Sequence, residues 1–238
     1  MKIHIFVRHT SNPHGKFRPE WFSLENCFKN LIGILDDQSE LTVLFDGDPS
    51  DHFVSKYDVK IVKIEGGCDS KSFTKVLDYV TKDVDIPDDD IVYLLEDDYL
   101  HRPGSLDALR EIFSTFQNGV EYVSLYDHAN KYMLQYQTPG FIPQLTHTKN
   151  THWRTTPSTT NTYAMKFSTL KRDLDIHYKY CTMGPVTQDH LKFLELWQMG
   201  KSLLTPIPGY STHVENALMS PTIDWFKISE LQNNNVDG

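Results

Sequence analysis

Three adjacent carboxylates, Glu96, Asp97 and Asp98, follow directly on the apolar run IVYLL (Ile91–Leu95). Like charges this close repel, and a buried carboxylate is costly unless it is paired or bound to a metal. A divalent cation relieves both penalties, and hard oxygen donors favour Mg2+ or Mn2+ over zinc. Such an ion bridges one or two carboxylates to substrate phosphates and neutralises charge on a departing phosphate. A solvated acidic turn is the alternative reading, since such turns commonly follow strands. The position of the triplet, after the most apolar strand-like run of the chain, favours the metal.

The elements that must carry these residues alternate in type. IHIFV (Ile3–Val7), LTVLF (Leu41–Phe45), VKIVKI (Val59–Ile64), IVYLL and EYVSLY (Glu121–Tyr126) read as strands. Apolar residues at helical spacing predict helices over Glu20–Leu35, over Ser72–Thr81, and from Leu106 to Phe116 with Ser105 as N-cap. This alternation predicts an α/β fold in a single domain, with a mainly parallel sheet flanked by helices. Ligands of such folds gather outside the carboxyl ends of the strands. Those ends carry Arg8 and Thr10, Asp46 and Asp48, Gly67 and Asp69, and the acidic triplet. The second half is less regular. Lys131–Thr160, broken by Pro139, Pro143 and Pro157, reads as loops and short strands forming a lip over a pocket. NTYAMKF (Asn161–Phe167) reads as a strand, Gln188–Met199 as a helix stopped by Gly200, and KSLLTPIPGYSTHVE as an extended closing segment.

Bulk composition removes several function classes. The chain has 238 residues and a formal net charge of −9, from 32 acidic against 23 basic residues, so it lacks the basic stripe of a nucleic-acid binder. Its three cysteines, Cys27, Cys68 and Cys181, form neither a CxxC pair nor a disulfide framework. MKIHIFVRH is too short and too charged for a signal peptide, and no apolar run approaches the ~20 residues that span a membrane. A cytoplasmic, reducing location is expected. The tail NNNVDG from Asn233 reads as frayed.

The segment VYLLEDDYLHRPGSLDALREIF resembles the DxD-type segment of nucleotide-sugar glycosyltransferases with the GT-A fold, in particular those similar to family 2. The resemblance implies a GT-A arrangement, Mn2+ or Mg2+ as cofactor, and a UDP-, GDP- or dTDP-linked sugar as donor. It implies that Asp98 holds the metal, that Glu96 faces the ribose or sugar, and that Asp97 supports both. By the same resemblance Arg8 and Thr10 contact the nucleotide, Asp46 meets the base, and the loop from Gly67 to Lys71 approaches the diphosphate with Lys71 as a cation. Each has a plainer reading: Arg8 as a surface ion pair, Asp46 with Gly47 as a turn. The chain then divides into a nucleotide-sugar half (1–128), an acceptor half (129–220) and a C-terminal tail (221–238).

TQDHLKFLELW (Thr187–Trp197) resembles the family's acidic pair at a helix start, with Gln188 in place of the first acid. The resemblance makes Asp189 the general base that takes the proton of an acceptor hydroxyl, which implies inversion at the anomeric carbon. The plainer reading is a first-turn carboxylate favoured by the helix dipole. PIPGYSTHVE resembles the element that supplies a late histidine ligand, so His213 joins Asp98; an imidazole ligand suits Mn2+ better than Mg2+. HWRTTPSTTNT (His152–Thr162) combines aromatic and hydroxyl groups suited to sugar recognition, which places a sugar or acceptor pocket near Trp153, Arg154, Thr160 and Asn161, with Asp127 and His128 facing it. The acceptor is a glycan or another hydroxyl compound. Two other readings stay open: a nucleotidylyltransferase, weakened because VRHTSNPHGKFRP has a single glycine where a triphosphate cradle is needed, and a non-catalytic nucleotide- or sugar-binding module.

Overall fold

A computed structural model describes residues 1–10, 15, 17–117 and 119–231. Its first half follows the predicted alternation: β1 (Ile3–Thr10), α1 (Leu24–Gly33), β2 (Ser39–Asp46), β3 (Lys60–Ile64), α2 (Asp69–Lys82) and β4 (Ile91–Glu96). A three-residue strand, β5 (Tyr99–His101), then precedes α3 (Ser105–Thr115) and β6 (Tyr122–Val123). The second half contributes β7 (Leu145–His147), β8 (His152–Thr155), β9 (Tyr163–Lys166), α4 (Phe167–Arg172), α5 (Leu174–Lys179) and α6 (Asp189–Gln198). The described chain closes with β10 (Leu203–Ile207), β11 (Ser211–His213) and α7 (Trp225–Leu231).

Among the described residues one nine-stranded sheet runs in the order β3-β2-β1-β4-β9-β6-β10-β8-β7. β1 pairs in parallel with β2 and β4, β2 with β3, and β10 with β6. β9 lies antiparallel between β4 and β6, and β8 lies antiparallel to both β10 and β7. The expected α/β class with a mostly parallel sheet therefore holds, with reversed strands confined to the second half. Because β9 sits inside the sheet between two first-half strands, the halves on either side of residue 128 share one core.

Period-two alternation splits β1 between two helical layers. Ile3, Ile5 and Val7 pack with Phe28 and Leu31 of α1 and with Leu109 and Ile112 of α3. Phe6 points to the other face, with Phe73, Val76 and Leu77 of α2 and Phe193 of α6. The N-cap of α3 is Gly104, at φ 81°, and not Ser105, which is the first helical residue. A side chain at that cap would be strained, which suits glycine. Within the expected C-terminal tail, residues 225–231 fold into α7, whose Trp225 packs with Cys27, Leu100 and Val214. The NNNVDG tail lies outside the described residues, as do positions 11–14 and 16 of the VRHTSNPHGKFRP segment.

One buried side chain fastens α1 to β5. Asn30 is 0% exposed; its amide donates to the His101 carbonyl at 3.0 Å and accepts from the His101 N–H at 2.7 Å. Asn30→Ala removes both bonds from a dry site, so a loss of roughly 2 kcal/mol is expected. A lower urea midpoint at unchanged m would register it.

Candidate active site

The carboxyl ends of β1, β2 and β4 open into one cleft of about 570 Å³. Arg8, Thr10, Asp46, Gly67, Glu96, Asp97 and Asp98 all line it, so seven residues from four separate segments meet as the strand-end argument requires. Parallel pairing does this: β1 ends opposite β2 at Thr10 and Asp46, and opposite β4 at Arg8 and Glu96.

Arg8 places a cation between two carboxylates of the cleft. Its guanidinium contacts Asp69 Oδ1 at 2.6 Å, donates to the Asp69 carbonyl at 2.7 Å and reaches Glu96 Oε1 at 3.2 Å. Burial works to lower its pKa, but Asp69, Glu96 and Asp97 outweigh burial and raise it. Asp69 in turn stays below the usual carboxylate range: burial is overcome by Arg8 and by the Thr187 N–H, which donates at 2.8 Å. Asp46 braces the loop between β3 and α2, accepting from the N–H groups of Gly66 (2.9 Å) and Gly67 (3.0 Å) and from the Ser72 hydroxyl (2.8 Å). A Cβ on Gly66 would fall 2.5 Å from the Ser72 backbone, so only glycine permits this close approach.

Lys71 departs from its expected place. The helix begins at Asp69 and not at Ser72, which changes which residues of its first turn face inward. Asp69 and Ser72, three apart, line the cleft, whereas Lys71 is exposed and does not.

The acidic corner is built by the short pairing of β5 with β11, which sets His213 opposite Tyr99. His213 thereby stacks on the Tyr99 ring at 5.3 Å, and its Nε2 lies 3.0 Å from Asp98 Oδ2. Asp98 is only 3% exposed and also accepts from the Arg18 guanidinium. Asp97 Oδ2 lies 3.1 Å from Nδ1 of His9, which is buried among Phe28, Phe45, His52 and Phe53. Burial, then the neighbouring His52, pushes His9 down to about 3 against the pull of Asp98, so the ring is neutral. Among the described residues no three His, Cys, Asp or Glu side chains stand together as a metal site. Asp98 and His213 both face the Arg18 guanidinium, which donates to Asp98 Oδ2 and lies 3.4 Å from His213 Nε2. Two protein ligands completed by waters, and by phosphate oxygens once a donor is bound, suffice for Mg2+ or Mn2+, so the residues present fit such an ion.

Asp189 is the first residue of α6 and does not line the cleft. It is tied to the cleft wall through Thr187, whose N–H binds Asp69. Burial, with Asp69 adding, raises its pKa; Lys192 and the His190 N–H, which donates at 2.6 Å, oppose the rise. Lys192, one turn on, is 0% exposed and donates to Asn161 Oδ1 (2.7 Å) and to the Tyr163 hydroxyl (3.1 Å). Burial pulls it down to about 8 against Asp189, Cys181, Glu96 and Asp69.

The four residues expected in a sugar pocket separate. Trp153 is 0% exposed, packed in the core, with its indole N–H donated to Thr148 Oγ1 at 3.2 Å. It offers no face to a ligand, because its ring is buried in the same apolar cluster as Leu204 and Tyr126. Arg154 is buried against Asp127 Oδ1 at 2.7 Å, beneath the ring of Tyr132. Asn161 is spent on Lys192, and Thr160 bonds the Tyr99 hydroxyl at 2.7 Å beside the acidic corner. His128 caps a short turn through Asn130 N–H at 3.1 Å. The sequence reading missed Arg18, His9 and Lys192. Lys192 alone left a signal: a lysine on the buried stripe of an amphipathic helix, beside Phe193 and four residues before Leu196.

No protein-family model matches the chain, and no curated protein matches it. Among solved structures it is similar to glucosyl-3-phosphoglycerate synthase from Mycobacterium tuberculosis in complex with Mn2+, uridine diphosphate and phosphoglyceric acid. That likeness has a TM-score of 0.46 and 12% identity, and covers 85% of this chain and 66% of that one.

Proposed function

We propose that this protein is a metal-dependent glycosyltransferase of GT-A type that moves a sugar from a nucleoside diphosphate to an acceptor hydroxyl with inversion. The observation that carries this reading is the cleft itself. It joins the Arg8 guanidinium with its Asp69 and Glu96 partners, the loop at Gly67, and the carboxylates Glu96 to Asp98.

Asp98 and His213 would hold the divalent ion, which when bound neutralises the charge gathering on the leaving diphosphate. Arg8 holds Glu96 and Asp69 in fixed orientation, so the donor meets a preformed wall. Asp46 fixes the loop whose N–H groups and turn define the nucleotide side of the cleft. Asp189 accepts the proton from the acceptor hydroxyl, and the buried Lys192 cation opposes the rise that burial gives its carboxyl pKa. Thr160 and Arg154 border the acceptor side. Three unpaired cysteines fit a reducing, cytoplasmic setting.

The test is a thermal-shift screen of uridine, guanosine and thymidine diphosphate sugars with and without Mn2+. A donor at a hundred times its Kd stabilises the fold by about 2.7 kcal/mol. For a chain of this size that is roughly a 5–10 °C rise in melting temperature. The reading requires one donor class to give that rise only with the metal; no response to any donor overturns it.

A further inference from the structure

The corner assigned to the metal already holds a cation of the protein's own. Arg18 donates through Nη2 to Asp98 Oδ2 and through Nη1 to the Val214 carbonyl, and the same Nη1 lies 3.4 Å from His213 Nε2. Its guanidinium carbon sits 4.6 Å above the ring centre of Phe22, which holds the fork from beneath. Arg18 and Phe22 both line the donor cleft. The two atoms that would ligate a divalent ion, Asp98 Oδ2 and His213 Nε2, are thus the two atoms on which the guanidinium converges. A metal ion needs those lone pairs for itself, and two cations at contact distance around one carboxylate oxygen repel.

This inference rests on the reading of Asp98 and His213 as the metal pair. We propose that Arg18 and the divalent ion are alternative occupants of that pair. In the metal-free protein the guanidinium neutralises Asp98 and keeps His213 facing it. The ion enters only as Arg18 leaves, so Arg18 sets the metal affinity of the site. The trade has a physical logic. Asp98 is almost wholly buried beside two further carboxylates, and it would be costly with no cation at all. A guanidinium displaced within the same cleft remains available to the donor's phosphates, which it suits as a planar fork.

Because the two occupants exclude each other, removing one strengthens the other by the same coupling. Calorimetric titration of Mn2+ alone into the full-length protein, into Arg18→Gln and into Asp98→Asn reads this out without any turnover. Arg18→Gln is expected to bind Mn2+ about tenfold more tightly than the wild type, a coupling in the ordinary allosteric range. Asp98→Asn is expected to lose the binding. Should Arg18→Gln fail to fold, Phe22→Leu removes the ring beneath the guanidinium and must shift the Kd in the same direction by a smaller factor. An equal or weaker Kd in Arg18→Gln, with binding still abolished by Asp98→Asn, overturns the exclusion and leaves the metal reading standing. No Mn2+ binding by wild type and Arg18→Gln alike overturns both.

Discussion

Replacing Asp98 with asparagine is expected to lower kcat by about 10²–10³-fold and to abolish the Mn2+-dependent rise in melting temperature with donor, as loss of an electrostatic stabiliser at a departing group does. That range corresponds to about 2.7–4 kcal/mol of transition-state stabilisation. Asparagine keeps the size and shape of the side chain at the turn between β4 and β5, so the register of β5 on β11 need not change. What disappears is the charge shared by Arg18 and His213. The competing explanation is structural. Asp98 could serve only as the partner of Arg18, in which case the variant would lose stability and keep its turnover per folded molecule. Measuring kcat well below the melting temperature, with circular dichroism to confirm the folded fraction, separates the two. A folded Asp98→Asn protein with wild-type kcat would remove the metal from the mechanism.

The sequence disclosed the frame because strand ends follow from hydrophobic runs. Arg8, Asp46 and the acidic triplet each stand at the carboxyl end of a run rich in β-branched and aromatic residues, and parallel pairing then brings such ends to one edge. Elements too short to show a period stayed hidden. β5 and β11 have three residues each and α4 and α5 six, below the length at which alternation or a helical stripe can be counted. The nearness of His213 to Asp98 depends entirely on the β5–β11 pairing, between segments 115 positions apart. Local sequence carries no trace of it, and only family resemblance placed the two together. Trp153 misled because its hydroxyl-rich neighbours read as surface. Many of those hydroxyls are buried and bonded within the core, as with Thr159 to Ser124 Oγ at 2.8 Å and Thr156 to the Ser158 carbonyl at 3.2 Å. Lys71 misled through helix phase, since a start three residues earlier turned it outward. Arg18 was invisible because nothing in GKFRP says that its guanidinium crosses to a turn eighty residues away.

Asp189→Asn is expected to lower kcat by about 10²–10⁴-fold, the span that a general base contributes, while leaving the donor- and Mn2+-dependent melting shift intact. That split between binding and chemistry distinguishes Asp189 from Asp98. The pH dependence follows from its surroundings. A base must be deprotonated to act, and an unperturbed aspartate ionises near 3.9. Burial, with Asp69 adding, raises the pKa of Asp189 above that value, so kcat/KM of the wild type should fall as pH drops through the raised pKa, at a higher pH than an ordinary aspartate would give. Lys192 acts in the opposite sense, because its buried cation favours the ionised carboxylate. Removing that cation by Lys192→Met should move the acidic limb further toward neutrality. The anomeric configuration of the product, read by NMR before mutarotation, should be opposite to that of the donor. An Asp189→Asn enzyme within a few-fold of wild-type kcat would move the proton transfer to another group. It would also remove the argument for inversion, because inversion here follows from a base that activates the acceptor for attack opposite the departing diphosphate.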